Sequence, residues 1–143
     1  MVDAAPTPDA TNLPDWVRDM PSALDQAMGM ELLEVTPERV VGRMPVAGNT
    51  QPIGLWHGGA SCVMAETLAS YGAVAHARPD KFAVGIDINA THHRSVRSGH
   101  VTGIATALKL GRTVAMYEIV LVDDHGNRVC TARLTCQLVA APK

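Results

Sequence analysis

Aromatic residues are scarce in this chain: two Trp, two Tyr and one Phe in 143 residues, or 3%. Binding of single-stranded nucleic acid relies on aromatic platforms for base stacking, and a formal net charge of −2 offers no basic field in their place. Nucleic acid is therefore a poor partner for it. Cysteine is sparse too. Cys62, Cys130 and Cys136 form an odd set without a C-x-x-C pair, which fits neither a disulfide framework nor a zinc site and reads as buried free thiols. The six His show no H-E-x-x-H or H-x-H spacing, and adjacent His92 and His93 would point to opposite faces of a strand, so no metal is implied. The opening MVDAAPTPDATNLPDWVRDM has neither a basic start nor an apolar stretch of signal-peptide character, and the expected location is the cytoplasm.

What the chain does have is 47% hydrophobic residues, nearly all aliphatic or small, in a length that suits one domain. Pro6, Pro8 and Pro14, set among Asp, Ala and Thr, predict a flexible tail over residues 1–20, followed by one domain over 21–140. A short helix is expected from Pro21, with Leu24, Ala27 and Met28 on one side and Gly29 as its stop. Met30 to Val35 and Arg39 to Val46 flank Thr36-Pro37-Glu38 and read as a hairpin. After Pro79 the pattern is strand-like to the end. Val84, Ile86, Ile88 and Ala90 alternate with Gly85, Asp87, Asn89 and Thr91. Val101 to Leu110 and Thr113 to Val122 follow, and the Asp123 to Asn127 turn leads into a strand with Cys130, Ala132, Leu134, Cys136 and Leu138 on one face. The order implies an α+β class, with one antiparallel sheet wrapped around a long central helix.

That helix is expected over His57 to Ala77. From Gly58 on it holds three Gly, six Ala and two Ser, with Val63, Met64, Leu68, Tyr71 and Val74 spread around its circumference, the mark of a buried helix. A membrane span is disfavoured by Glu66 at mid-length. The neighbours of Glu66 three, four and seven positions away are Gly59, Cys62, Val63, Ala69, Ser70 and Ala73, so no Lys or Arg on its face of the helix can pair with it. A carboxylate so placed either emerges into solvent or belongs to a site. Upstream, Trp56-His57-Gly58-Gly59 opens the helix. Two glycines leave the N-terminal N–H groups unobstructed, where the helix dipole favours negative charge and a carbonyl oxygen on the Gly58 N–H would be polarised. Tight packing at the glycines and a plain capping role for His57 are the structural alternatives.

The run from Gln51 through Trp56-His57-Gly58-Gly59-Ala60-Ser61, then Glu66 and Ser70, then Gly85-Ile86-Asp87-Ile88-Asn89-Ala90 and His92-His93-Arg94-Ser95, resembles the hotdog-fold acyl-CoA thioesterases of the phenylacetic-acid-degradation type. It is most similar to the type II 4-hydroxybenzoyl-CoA and 1,4-dihydroxy-2-naphthoyl-CoA thioesterases. The resemblance implies that Glu66 is the catalytic carboxylate, either attacking the thioester carbonyl or activating water. It implies further that Gly58 N–H polarises that carbonyl, that Gln51 and His57 support the carbonyl and the leaving thiolate, and that Ser70 helps hold the carboxylate or water. An activated acyl donor can be cleaved by one carboxylate and an oriented donor without a Ser-His-Asp triad. No cofactor is implied, coenzyme A being part of the substrate.

Gly58 and Glu66 are separated by about 12 Å along a helix at 1.5 Å per residue, too far for both to meet one thioester carbonyl. An antiparallel second copy of the helix would bring Glu66 of one chain to Gly58 of the other, so a homodimer with shared sites is expected, and the resemblance extends this to a homotetramer. Residues 92–112 carry Arg94, Arg97, Lys109 and Arg112 without an acid, a candidate phosphate site for coenzyme A, unless they are a solvated edge. The resemblance favours Arg94 and Ser95; His92, from the same run, is expected beside them, and Gly111-Arg112 is a further candidate contact. The acyl group is expected near Val63, Met64, Tyr71 and Phe82. A hydratase or dehydratase acting on acyl thioesters and a non-catalytic acyl-CoA-binding module are the competing readings.

Overall fold

The computed structural model describes residues 13–141 and 143. Two short helices, α1 (Asp15–Arg18) and α2 (Ala23–Met28), precede the hairpin β1 (Glu31–Val35) and β2 (Arg39–Pro45). Then come the long helix α3 (Gly58–Ala77) and the strands β3 (Lys81–His92), β4 (His100–Leu110), β5 (Val114–Val122) and β6 (Arg128–Ala140). The strands form one antiparallel sheet in the order β1-β2-β4-β5-β6-β3, wrapped on α3 as expected. Local chemistry sets the boundaries. Ser22 caps α2 by accepting the Asp25 N–H, and Gly29 ends it in the left-handed region at φ 72°. Thr36 Oγ1 bonds both backbone groups of Arg39 and closes the first hairpin. No helix among the described residues is long and apolar enough to cross a membrane.

The core lies between α3 and the concave face of the sheet. Ala60, Ser61, Met64, Ala65, Leu68, Ala69, Gly72 and Ala73 are buried there, a stripe at helical period. Small residues allow the helix and sheet to approach closely: the Tyr117 ring stands 2.9 Å from where a Cβ on Gly72 would be, and Leu68 Cδ2 2.9 Å from where one on Gly42 would be. One expectation changes: within the chain the helix is buried along this one stripe rather than all round, and most of its small residues face the sheet. Val63, Glu66, Thr67, Ser70 and Tyr71 lie off the stripe and stay partly exposed.

Of the expected tail, residues 1–12 lie outside those described, but 13–20 are folded against α3. Val17 is buried in the core, the Trp16 ring stacks on Tyr71 with centroids 6.2 Å apart, and Arg78 sits 4.9 Å over the Trp16 ring. Tyr71 Oη donates to the Met20 carbonyl at 2.8 Å and Thr67 Oγ1 to Asp25 Oδ1 at 2.8 Å. Two large apolar side chains in sequence gave this segment enough surface to bury, which the three prolines obscured.

The alternation read for β3 is also broken. Gly85 pairs with Cys136 and Asp87 with Thr135, so Ile86 is an extra, unpaired residue. The bulge shifts the phase of the strand: Gly85, Ile88, Ala90 and His92 pair with inward residues of β6, whereas Val84 pairs with Gln137 on the outer face.

Candidate active site

The α3 N-terminus is built by its own first residues. His57 is the N-cap, and its Nδ1 accepts the Gly59 N–H at 2.7 Å. The Ala60 and Ser61 N–H groups both donate to the His57 carbonyl, and Trp56 Nε1 reaches the buried Ser61 Oγ at 2.7 Å. Gly58 N–H is the first-turn donor for which no protein acceptor exists among the described residues. It lines a cavity of about 400 Å³ together with Gln51, His92, Arg94 and Ser95. Gln51 Oε1 accepts from the Ile53 N–H at 2.6 Å and the Leu55 N–H at 3.4 Å, so its amide NH₂ is the group left to donate to a ligand. The His92 ring stands 2.8 Å from where a Cβ on Gly58 would be. This end of the helix therefore gathers hydrogen-bond donors and a cation, a setting for a carbonyl oxygen and an anionic leaving group.

Glu66 stands elsewhere. Two turns along α3 it lines a second cavity, of about 510 Å³, with Ser70, Tyr71, Phe82 and the Asp19 to Asp25 segment. Burial pushes its carboxyl above the usual Glu value of 4.5, and no cation is paired with it among the described residues. Beneath lies Cys136, whose thiol is pushed up to about 11 by its burial and then by the Glu66 charge, with a hydrogen bond from Ser70 working the other way. Cys130 is buried as expected, while Cys62 is only partly so.

The predicted residues thus divide. Gln51, Gly58, His92, Arg94 and Ser95 share one cavity, with His57 exposed beside it. Glu66, Ser70 and Tyr71 share another. Gly111 and Arg112 lie in a third, of about 430 Å³, with His76, Arg78 and Lys81. The basic run 92–112 is therefore not one patch: Arg94 lines the first cavity and Arg112 the third, with the eleven residues of β4, about 34 Å of strand at 3.4 Å per residue, between them in the chain. Gly111 has its N–H donated to Val114 and its carbonyl bonded to His76, so Arg112 is the member of that pair left to meet an anion. Of the expected acyl-pocket residues, Phe82 and Tyr71 line the Glu66 cavity, Met64 is fully buried in the core, and Val63 lines none of the three cavities. Thr67 and Asp25 left no signal in the sequence. Gly85 stood there as part of the resemblance motif and Cys136 as an inward-facing thiol, neither tied to Glu66, although a Gly within a strand pattern marks a close approach.

Comparison with known proteins accords with this architecture. Residues 53–130 match the thioesterase superfamily. A proofreading thioesterase, EntH, from Cronobacter turicensis is 42% identical over 113 residues, covering 78% of this chain and 82% of its own. A crystal structure of a thioesterase from Haemophilus influenzae superposes with a TM-score of 0.81 at 33% identity, covering 85% and 86% of the two chains. A mutant thioesterase from Pseudomonas aeruginosa gives 0.78 at 36% identity over 84% and 88%. The chain has the hotdog thioesterase fold, belongs to the thioesterase superfamily, and is a thioester hydrolase.

Proposed function

We propose that the chain is an acyl-CoA thioesterase of the phenylacetic-acid-degradation type, related to the type II 4-hydroxybenzoyl-CoA and 1,4-dihydroxy-2-naphthoyl-CoA enzymes, and cleaves an aromatic or medium-chain acyl-CoA to free acid and coenzyme A in the cytoplasm. The observation that carries the reading is Glu66, an unpaired, partly desolvated carboxylate on the wall of a cavity with Phe82 and Tyr71 for an acyl group. In the general-base route Glu66 takes a proton from water as its oxygen bonds to the carbonyl carbon. The oxyanion is held by Gly58 N–H and the Gln51 amide, and its collapse breaks the C–S bond and returns the proton to the thiolate. In the nucleophilic route Glu66 itself adds to the carbonyl, expels the thiolate and leaves a mixed anhydride that water then opens. Ser70 hydrogen-bonds water or the carboxylate, and the His57 ring N–H faces the leaving sulfur.

Both routes need Glu66 and Gly58 together, and within one chain they line different cavities. A homodimer resolves this, Glu66 of one protomer serving Gly58, Gln51 and His57 of its partner, and dimers pair further into a tetramer. Support comes from β3, an edge strand with Val84, Ile86 and Ile88 exposed at 42%, 57% and 39%. Arg94, Ser95 and His92 of one protomer, with Arg112 of another, hold the coenzyme A phosphates. The test is release of free thiol from a panel of aromatic and aliphatic acyl-CoAs, with Glu66→Gln alongside. Turnover of at least one member that falls by about 100-fold or more in the variant is expected. Equal rates in both proteins, or no turnover of any member, would contradict the reading.

A further inference from the structure

Glu66 rests where β3 has no side chain. A Cβ at Gly85 would overlap Glu66 Oε1 and stand 3.2 Å from Cδ and 3.6 Å from Oε2. Directly across the sheet is Cys136, whose buried thiol is pushed up further by the same carboxylate. The bulge makes this seat. Counting back from His92, Ala90 and Ile88 on the inward face, a regular strand would bring Ile86 and then Val84 toward α3. The extra residue puts Gly85 there instead and sends Val84 to the other face. One inserted residue thus replaces a β-branched side chain with an opening the size of a carboxylate oxygen.

We propose that Gly85 is a positioning residue for hydrolysis: the side-chain-free notch at the β3 bulge seats the Glu66 carboxylate against the sheet and holds it at one place on the cavity wall. The proposal rests on the reading of Glu66 as the reacting carboxylate. A Glu side chain has three rotatable bonds, and a misplacement of 1 Å at the reacting group costs about 100-fold in rate. Gly85 is not in the left-handed region, so Ala fits the backbone, and what it would displace is the free end of a flexible side chain. Gly85→Ala should therefore fold with Glu66 swung toward the cavity. The titratable groups around Glu66 are Cys136 from β6, Asp25 from α2, Asp19 beyond α1 and Tyr71 on α3, none of them cationic.

The experiment compares wild type, Gly85→Ala, Glu66→Gln and the double variant, using the acyl-CoA turned over best by the wild type. It adds melting temperatures and a ¹³C NMR titration of the glutamate carboxylates, with Glu66 assigned by its loss in Glu66→Gln. The expected result is a Gly85→Ala protein that melts near the wild-type temperature, with kcat lowered by about 30- to 100-fold and KM within about threefold. The Glu66 titration should move down toward the ordinary Glu value, and Gly85→Ala should add nothing to Glu66→Gln. A Gly85→Ala kcat close to wild type, an unmoved titration, or a full further loss in the double variant would overturn the proposal. If Glu66→Gln retains wild-type activity, the reading of Glu66 fails and the positioning role with it. If Glu66→Gln is inactive while Gly85→Ala is not, only the positioning role fails.

Discussion

His57 Nδ1 accepts the backbone N–H of Gly59 at 2.7 Å, so in the neutral ring the proton must sit on Nε2. One side chain therefore caps α3 and presents a ring donor at the exposed mouth beside Gly58. The two roles separate by substitution. His57→Ala loses both and should cost about 1 kcal/mol of stability, whereas His57→Asn keeps a good cap and should melt near wild type. Both should lower kcat/KM by roughly tenfold, the value of one lost hydrogen bond of about 1.4 kcal/mol. Full activity in His57→Asn would reduce His57 to a cap.

Glu66 couples activity and stability to pH in opposite senses. The ionised carboxylate is the working form in either route, so kcat should fall as pH drops through a value above the usual 4.5, because burial raises it. For stability, a folded-state pKa above the unfolded one gives a contribution that is full below the unfolded value and lost as pH rises through the folded one. Charged Glu66 is thus a burden at neutral pH. Glu66→Gln should melt higher than wild type at pH 7, and the gain should vanish below pH ~4. Melting curves at the two pH values check this; a variant less stable than wild type at pH 7 would count against a desolvated carboxylate.

Gly72 lies in the interior of α3, where helix propensity alone predicts a gain of about 1 kcal/mol from Ala. Its absent Cβ is filled by Tyr117, with Cε1, Cζ and Oη each 2.9 Å away. That ring is fully buried and its hydroxyl donates to the Pro37 carbonyl at 2.6 Å, so it has little room to move. Overpacking of this kind costs ~1–3 kcal/mol, and Gly72→Ala should be net destabilising by about 1 kcal/mol in denaturant unfolding. A stabilised variant would show that the helix–sheet spacing is not fixed by this contact.

Much of this arrangement was legible from the chain. The Trp56-His57-Gly58-Gly59 run marked the start of α3, Thr36-Pro37-Glu38 and Asp123 to Asn127 marked hairpins, and the alternation from Cys130 to Leu138 marked an inward face, because each depends on local geometry. The bulge at Ile86 was not legible. A strand with an inserted residue has the same composition as a regular one, and its apolar alternation pointed to the wrong face. The docking of residues 13–20 was hidden because three prolines outweighed Trp16 and Val17 in a reading by composition. Glu66 and Gly58 were both singled out, and their separation was legible too, because 1.5 Å of helix rise per residue already keeps them about 12 Å apart; which cavity each one lines follows from how the sheet curves around α3, a long-range property.

The central claim, hydrolysis at a site completed by two chains, is tested most directly by mixing two inactive variants. Glu66→Gln disables the acid-bearing half of every shared site and Gln51→Ala the donor half. When the two are unfolded together and refolded at equal amounts, half of the dimers should be mixed. In each, one site combines the intact Glu66 of one protomer with the intact Gln51 of its partner. The account predicts recovery of roughly a quarter of wild-type activity in the mixture. Activity that stays at the level of the separate variants, while mixed dimers are present by mass, would place Glu66 and Gln51 in the same chain's site and contradict it.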